Sequence, residues 1–306
     1  MAYVEERRGS HLRVESLVEY RRARGITTTE QATAPTGIRL SVAMAAHNEE
    51  RTIGRAISDV LAVSGDFALE LIVVDDGSTD GTLRIARSFD DPRLTVLTHP
   101  TCRGKGASIL EAASVASGTH ILLFDADLEY SADDIPRLVE PVASGDAHVV
   151  YGARVRGERT MFPSLTYALG SKATTVFTNV IFNSWMTDMH TCLKLVPLAL
   201  FREMSLSQTG FGLDTEITGE ILRRGVRPYE VPCSYHGRSV AEGKKISARD
   251  GVECLKVAVQ VRMRGRIAAD LPTGGSAASL PVHAGLAERR RGAGELAAVA
   301  AGSEAR

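Results

Sequence analysis

Three carboxylates at alternate positions close the stretch His120-Ile-Leu-Leu-Phe-Asp-Ala-Asp-Leu-Glu129. The apolar run before Asp125, Asp127 and Glu129 reads as a buried strand. Open α/β sheets bind ligands at the carboxyl ends of their strands. Hard oxygen donors at such an end suit Mg²⁺ or Mn²⁺ held partly by substrate phosphates. The chemistry expected is therefore that of a nucleotide diphosphate. The competing reading gives Asp127 to a helix cap and leaves Glu129 solvated. A second acidic strand end, Val73-Val-Asp-Asp-Gly-Ser-Thr-Asp-Gly81, strengthens the ligand reading. A carboxylate there can accept from a base N–H or a ribose hydroxyl, and Gly77 permits a tight turn. Taken alone, that segment also fits a βα loop with an Asx turn.

Several cationic segments accompany the acidic ones. Tyr151-Gly-Ala-Arg-Val-Arg-Gly-Glu-Arg159 places Arg154 nearest a strand end, where its fork suits a phosphate. His236-Gly-Arg-Ser-Val-Ala-Glu-Gly-Lys-Lys-Ile246 is a glycine-punctuated loop with Arg238, Lys244 and Lys245. Such a loop can close over a leaving diphosphate and neutralise it, or simply be a surface loop. Arg103-Gly-Lys-Gly106 lacks the spacing and ending of a P-loop and is expected to open a helix, its glycines packing on the sheet. Asp214 and Glu216 start another helix, as cap and dipole partner, with a role for one as acceptor base left open.

The elements that must hold these residues alternate. Strands are expected over 38–46, 70–75, 93–98, 119–124, 149–151, 194–196 and 227–232. Helices are expected from Ile53 to Leu61 behind an Asn48 cap, then over 79–89, 105–116, 134–143 and 214–223. This rhythm predicts an α/β fold with a mostly parallel, Rossmann-like sheet covered by helices on both faces. Segment 162–185 differs. Leu169, Ala173, Val176, Phe177, Val180 and Ile181 make an apolar stripe, widened by Phe182 and Trp185, and the opposite face is uncharged. A core-facing helix and a helix lying at a membrane interface are equally compatible with that pattern.

The organisation expected is an N-terminal arm and linker over 1–37, with a basic helix near 11–24. A catalytic domain over 38–250, a C-terminal helix over 251–268 and a disordered tail over 269–306 follow. The 306 residues carry 36 Lys and Arg against 37 Asp and Glu, so bulk charge offers no nucleic-acid partner. Four cysteines without CxxC spacing fit a reduced compartment. Neither a secretory signal nor a transmembrane run is visible. The expected location is cytoplasmic.

With these residues assembled, the chain resembles family-2 glycosyltransferases of the GT-A fold, and especially the polyprenyl-phosphate (dolichol- or undecaprenyl-phosphate) mannose and glucose synthases. The resemblance runs from about Ile38 to Gly251. It is carried by Ala45-Ala-His-Asn-Glu49, Val74-Asp-Asp-Gly-Ser-Thr-Asp-Gly-Thr82, Asp125-Ala-Asp-Leu-Glu129, Gly152-Ala-Arg154 and the Arg238–Ile246 loop. It implies a nucleotide pocket lined by Ala45, His47 and Glu49, with Val74 and Asp76 contacting base and ribose. Asp125, Ala126, Asp127 and Glu129 would hold metal and diphosphate. Arg154 would meet a phosphate, and Lys194, Arg238 and Lys244 would approach the leaving diphosphate and sugar. Asp127, Arg238 and Lys244 are thus the expected catalytic group. Ala45 and His47 stand where the family usually has Pro and Tyr, Glu129 replaces a frequent Gln, and the C-terminal membrane helices of some members are missing. A peripheral place at the inner membrane face and a separate membrane partner are implied only by this resemblance.

The activity implied is inverting, metal-dependent transfer of mannose, glucose or N-acetylglucosamine from a nucleotide sugar to a polyprenyl phosphate. Three rivals remain at this point: a family-2 enzyme with a soluble glycan or metabolite acceptor, a sugar-1-phosphate nucleotidyltransferase, and a non-catalytic nucleotide-binding scaffold.

Overall fold

The structure, a computed structural model, describes residues 36–156, 160–162, 164–238 and 248–267. The expected basic helix near 11–24, the tail over 269–306, and Lys244 and Lys245 lie outside these residues.

Three β-rich runs build the first half: β1 (Arg39–Ala46), β2 (Ala68–Asp75) and β4 (His120–Asp125). All are nearly continuous in apolar residues, as strands covered on both faces must be. β3 (Leu94–Thr98) forms the edge. These strands pair in parallel in the order β3-β2-β1-β4. The sheet then continues through β7 (Lys194–Pro197), β5 (Val150–Ala153) and β8 (Tyr229–Pro232), giving seven strands. β7 runs antiparallel to both neighbours. The expected parallel sheet is therefore mixed at one place, and β7 brings Lys194 to the same end as Asp125 and Tyr151. A small parallel pair, β6 (Thr160–Met161) with β9 (Tyr235–His236), sits beside that end.

Helices α1 (Ile53–Ala62), α3 (Lys105–Val115) and α4 (Ile135–Ala143) follow the expected pattern. α1 buries Ile53, Ala56, Ile57 and Val60, one stripe at helical spacing. The helix expected over 79–89 shrinks to α2 (Thr82–Ala86). Asn48 is not a helix cap. It adopts φ +56° and its Oδ1 accepts the Thr79 backbone N–H at 2.9 Å, tying the β1 turn to the β2 turn. The later helices are α5 (Leu165–Phe182), α6 (Leu198–Glu203), α7 (Gly212–Arg223) and α8 (Ala248–Met263). α8 packs on α7 and α5, with Val257 and Val261 buried against Phe182 and Leu222.

Candidate active site

The turns after β1, β2 and β4 meet at one end of the sheet. Register fixes this, because Ala45 pairs with Val74 on one side and Asp125 on the other. The Arg103–Gly106 segment is drawn to the same place. Asp76 accepts from His99 Nδ1 at 2.7 Å and from the backbone N–H groups of Arg103 and Gly104 at 2.8 and 2.7 Å. Against the cost of burial, these bonds hold the Asp76 carboxyl below its usual range. Asp76 therefore serves as a loop fastener, not as the open ribose acceptor expected. Gly104 has φ +97°, and a side chain there or at Gly106 would strike the backbone of Thr209. The glycines thus pack on segment 208–210 and not on the sheet.

That packing delivers Lys105 to Asp125, with Nζ 2.7 Å from Oδ1. Leu128, at φ +61°, turns the chain sharply after Asp127. A left-handed leucine costs roughly 1–2 kcal/mol, and strain of this kind concentrates at functional sites. Past this turn Glu129 is engaged by partners of its own. Glu129 accepts from Tyr235 Oη at 2.7 Å and from the Arg238 backbone N–H at 2.8 Å. The carboxylates of 125, 127 and 129 therefore do not converge as three metal ligands, and no such group of three occurs among the described residues. Glu129 instead anchors the start of the basic loop.

Arg238 spans the site. Its Nη1 and Nη2 lie 3.0 and 3.1 Å from Glu49 Oε2 and Oε1, and Nη2 is 3.0 Å from Asp127 Oδ2. The pairing is bidentate to Glu49, the geometry for which guanidinium is suited. Burial, with Asp125 and Glu129 nearby, pushes Asp127 up to about 7 despite Arg238. Such a carboxyl gains most from an added cation.

Other expected contacts fall elsewhere. Val74 is fully buried in the core, so its side chain meets no ligand, and Ala126 is buried too. His47 places Nδ1 2.8 Å from the Asp76 carbonyl oxygen. Arg154 is only 2% exposed and forks onto Asp188, Nε to Oδ2 at 2.6 Å and Nη2 to Oδ1 at 2.7 Å. Lys194 is 0% exposed and pairs with Asp214 Oδ1 at 2.7 Å. Neither residue presents a donor to a phosphate, which corrects both expectations. Asp75, at the end of β2, was not among the residues expected. Its Oδ1 is buried and finds no hydrogen-bond partner. The paired aspartates at 75 and 76 were visible in the sequence, but which one the loop would consume was not.

The profile of the family described as "Glycosyl transferase family 2" matches residues 41–197, half of the chain. The chain belongs to glycosyltransferase family 2. Within this family it is 32% identical over 208 residues to the low-salt glycan biosynthesis hexosyltransferase Agl6 of Haloferax volcanii, covering 67% of this chain and 49% of that protein. It is 27% identical over 183 residues to the undecaprenyl-phosphate mannosyltransferase of Micrococcus luteus, covering 57% of this chain and 75% of that protein. The chain spans about half the length of the first of these relatives. Among solved structures, glucosyl-3-phosphoglycerate synthase from Mycobacterium tuberculosis with uridine diphosphate superposes with a TM-score of 0.57 at 17% identity, over 91% of each chain. The same enzyme with Mn²⁺, uridine diphosphate and phosphoglyceric acid gives 0.56 at 18% identity, over 84% of each chain. At that identity the likeness establishes the GT-A fold of this family-2 glycosyltransferase.

Proposed function

We propose that the protein transfers a hexose from a nucleotide-diphosphate sugar to a polyprenyl phosphate, with inversion at the anomeric carbon. The observation that carries the transferase chemistry is the opposition of Asp125 to Lys105 and of Asp127 to Arg238 at the carboxyl end of β4. Hard divalent cations are commonly held by one or two carboxylates plus substrate phosphates, so two aspartates without a third ligand still suit Mg²⁺ or Mn²⁺. Asp127 and Asp125 would hold the ion, which when bound neutralises the diphosphate. Mn²⁺ accompanies uridine diphosphate in a neighbour of the same fold. Ala45, His47 and Glu49 would line the nucleotide. Arg238, released from Asp127, would lay its fork on the departing diphosphate, with Lys244 as a second cation.

The acceptor class is supported by two considerations. A relative carries the name undecaprenyl-phosphate mannosyltransferase. A phosphate nucleophile is also anionic near neutral pH and needs no strong base. Asp214, the alternative base, is held by Lys194 and Lys105 below the usual carboxyl range against the cost of burial. It has neither the free geometry nor the proton affinity for that work. No helix among the described residues is long and apolar enough to cross a membrane. We read the protein's contact with the bilayer as peripheral, with or without a membrane partner.

A donor-by-acceptor assay with Mg²⁺ or Mn²⁺, read by mass spectrometry of the lipid extract, tests this. A hexosyl-phosphoryl-polyprenol is the expected product and names the sugar. Donor consumption that yields only a soluble glycoside rejects the lipid acceptor in favour of a glycan or metabolite. No consumption of any nucleotide sugar rejects the catalytic reading as a whole.

A further inference from the structure

The outer face of α5 decides what its apolar stripe is for. The buried side chains of this helix are Thr174, Thr175, Thr178 and Phe182, whereas Leu165, Leu169, Val176 and Val180 are exposed. Positions 165, 169, 172, 176 and 180 fall on one stripe at helical spacing. The helix is inverted relative to one lying on a water-soluble core, with its hydroxyls inward and its aliphatic side chains outward. Two of the three inward hydroxyls are satisfied, and Thr178 Oγ1 is buried without a hydrogen-bond partner. Thr175 donates to the Ser171 carbonyl at 2.8 Å, and Thr174 Oγ1 lies 2.6 Å from His190 Nε2.

The apolar surface does not stop with α5. Trp185 is 82% exposed just beyond its end, and Met263, at the end of α8, is 81% exposed. The two helix ends are joined, because Arg262 Nε donates to the Ile181 carbonyl at 2.9 Å. Arg227 Nη2 donates to the Asn183 carbonyl at 3.0 Å, and Arg266 lines the same groove as Ile181 and Asn183. Between residues 165 and 187 the one charged side chain is Lys172, and between 257 and 267 the charges are Arg262, Arg264 and Arg266. Arg264 turns inward to Glu216 and Glu220. The remaining charged side chains of these two stretches are cationic, and the Glu230 carboxylate beside them accepts the Thr187 backbone N–H at 2.6 Å.

We infer that this face docks on an anionic lipid bilayer. A contiguous apolar face of this kind marks an interaction site. Aliphatic side chains, an interfacial tryptophan and flanking arginines match the layers of a bilayer from acyl chain to charged headgroup. A second copy of the chain fits less well, because two-fold pairing of this face would set Arg227, Arg262 and Arg266 of one copy near the same arginines of the other. The other end of α5 adjoins the site. Ser164 accepts the Tyr167 N–H at the helix start, and the Phe162 ring lies 5.7 Å from that of Tyr235, whose hydroxyl bonds Glu129. The docked face would hold the mouth of the site at the lipid surface. Its purpose rests on the lipid-phosphate acceptor proposed above.

Trp185 is the only tryptophan, so its emission reports this face alone. The full chain is mixed with vesicles of equimolar phosphatidylcholine and phosphatidylglycerol. The expected result is flotation with the vesicles, a blue-shifted emission, and quenching by brominated acyl chains. Val176→Asp with Val180→Asp should weaken vesicle binding at least about tenfold without lowering thermal stability, since both positions are exposed. Arg262→Gln with Arg266→Gln should weaken it about thirtyfold at low salt. Absence of flotation and of any spectral change overturns the inference. If detergent-dispersed polyprenyl phosphate is nonetheless glycosylated, the reaction proposed above stands without it. Flotation without glycosylation of any polyprenyl phosphate leaves docking in place and removes the reaction. A blue shift that follows protein concentration without lipid, together with a dimer in sedimentation, assigns the face to a second copy and overturns docking.

Discussion

The two halves of the sheet use the same residue types in opposite ways. At the carboxyl end of the sheet, the side chains of Asp125, Asp127, Lys105 and Arg238 are each 16–22% exposed and pair as Lys105–Asp125 and Arg238–Asp127. Beneath β5 and β7, Arg154 and Asp188 are each 2% exposed and sealed together, while Lys194, 0% exposed, pairs with a 15% exposed Asp214. A shared, partly hydrated carboxylate can exchange its counter-ion for a substrate or a metal. A sealed ion pair cannot, because separating it strands a charge in a medium of low dielectric constant. Proximity to the catalytic end is therefore not enough to make an ion functional. It must also have somewhere to go.

The largest effect should come from the open half. Asp127→Ala removes an expected metal ligand while leaving Arg238 its bidentate bond to Glu49. Turnover should fall on the order of 10³-fold, or about 4 kcal/mol in the barrier. Because Asp127 is crowded by burial, Asp125 and Glu129, its loss should not lower the melting temperature. Steady-state kinetics and thermal denaturation on one sample check both halves of this expectation. Near-normal turnover would remove Asp127 from the metal site and make the open half merely structural.

In the closed half the same kind of deletion should act on folding. Arg154 holds Asp188 below the usual carboxyl range against the cost of burial. Asp188→Ala leaves the guanidinium buried and unpaired, and should destabilise the fold by about 3–5 kcal/mol in urea denaturation. The donor KM of the protein that remains folded should not change. Unaltered stability together with a raised donor KM would return Arg154 to the phosphate site and erase the contrast between the halves.

What could be read from the sequence follows the same division. Strand-end carboxylates at Asp125 and Asp127 were legible because β4 is an apolar run whose last residues have no choice of direction. The partner that consumes a charge was not legible. Arg154 and Asp188 are 34 residues apart, and Glu49 meets Arg238 across 189 residues. Spacing within a motif says nothing about such closures. Glu129 departs from the strand-end pattern for a local reason, since the left-handed turn at Leu128 redirects it toward Tyr235. For α5, periodicity defines two faces but cannot say which is inward. The inward side is set by His190 and Phe182's neighbours in α7 and α8, which lie outside the helix.

A smaller and pH-dependent effect should fall on two buried histidines, one in each half. His190 lies under the threonine face of α5, and burial pushes its pKa down to about 4. At the opposite end of β4, burial, and then His148, push His120 down to about 4 as well. Both folded values lie below the ordinary 6.5, so the unfolded chain takes up these protons first. The stability they contribute is complete above about pH 6.5 and is lost as pH falls toward 4. Between pH 7.5 and pH 5 the loss should be about 1–2 kcal/mol for each histidine, read from urea midpoints. His190→Gln keeps a polar group near Thr174 Oγ1 and removes the titration, so it should flatten that slope by about half. An unchanged slope would assign the acid loss to carboxylates, and the open half, rich in them, would become the part of the fold that fails first on acidification.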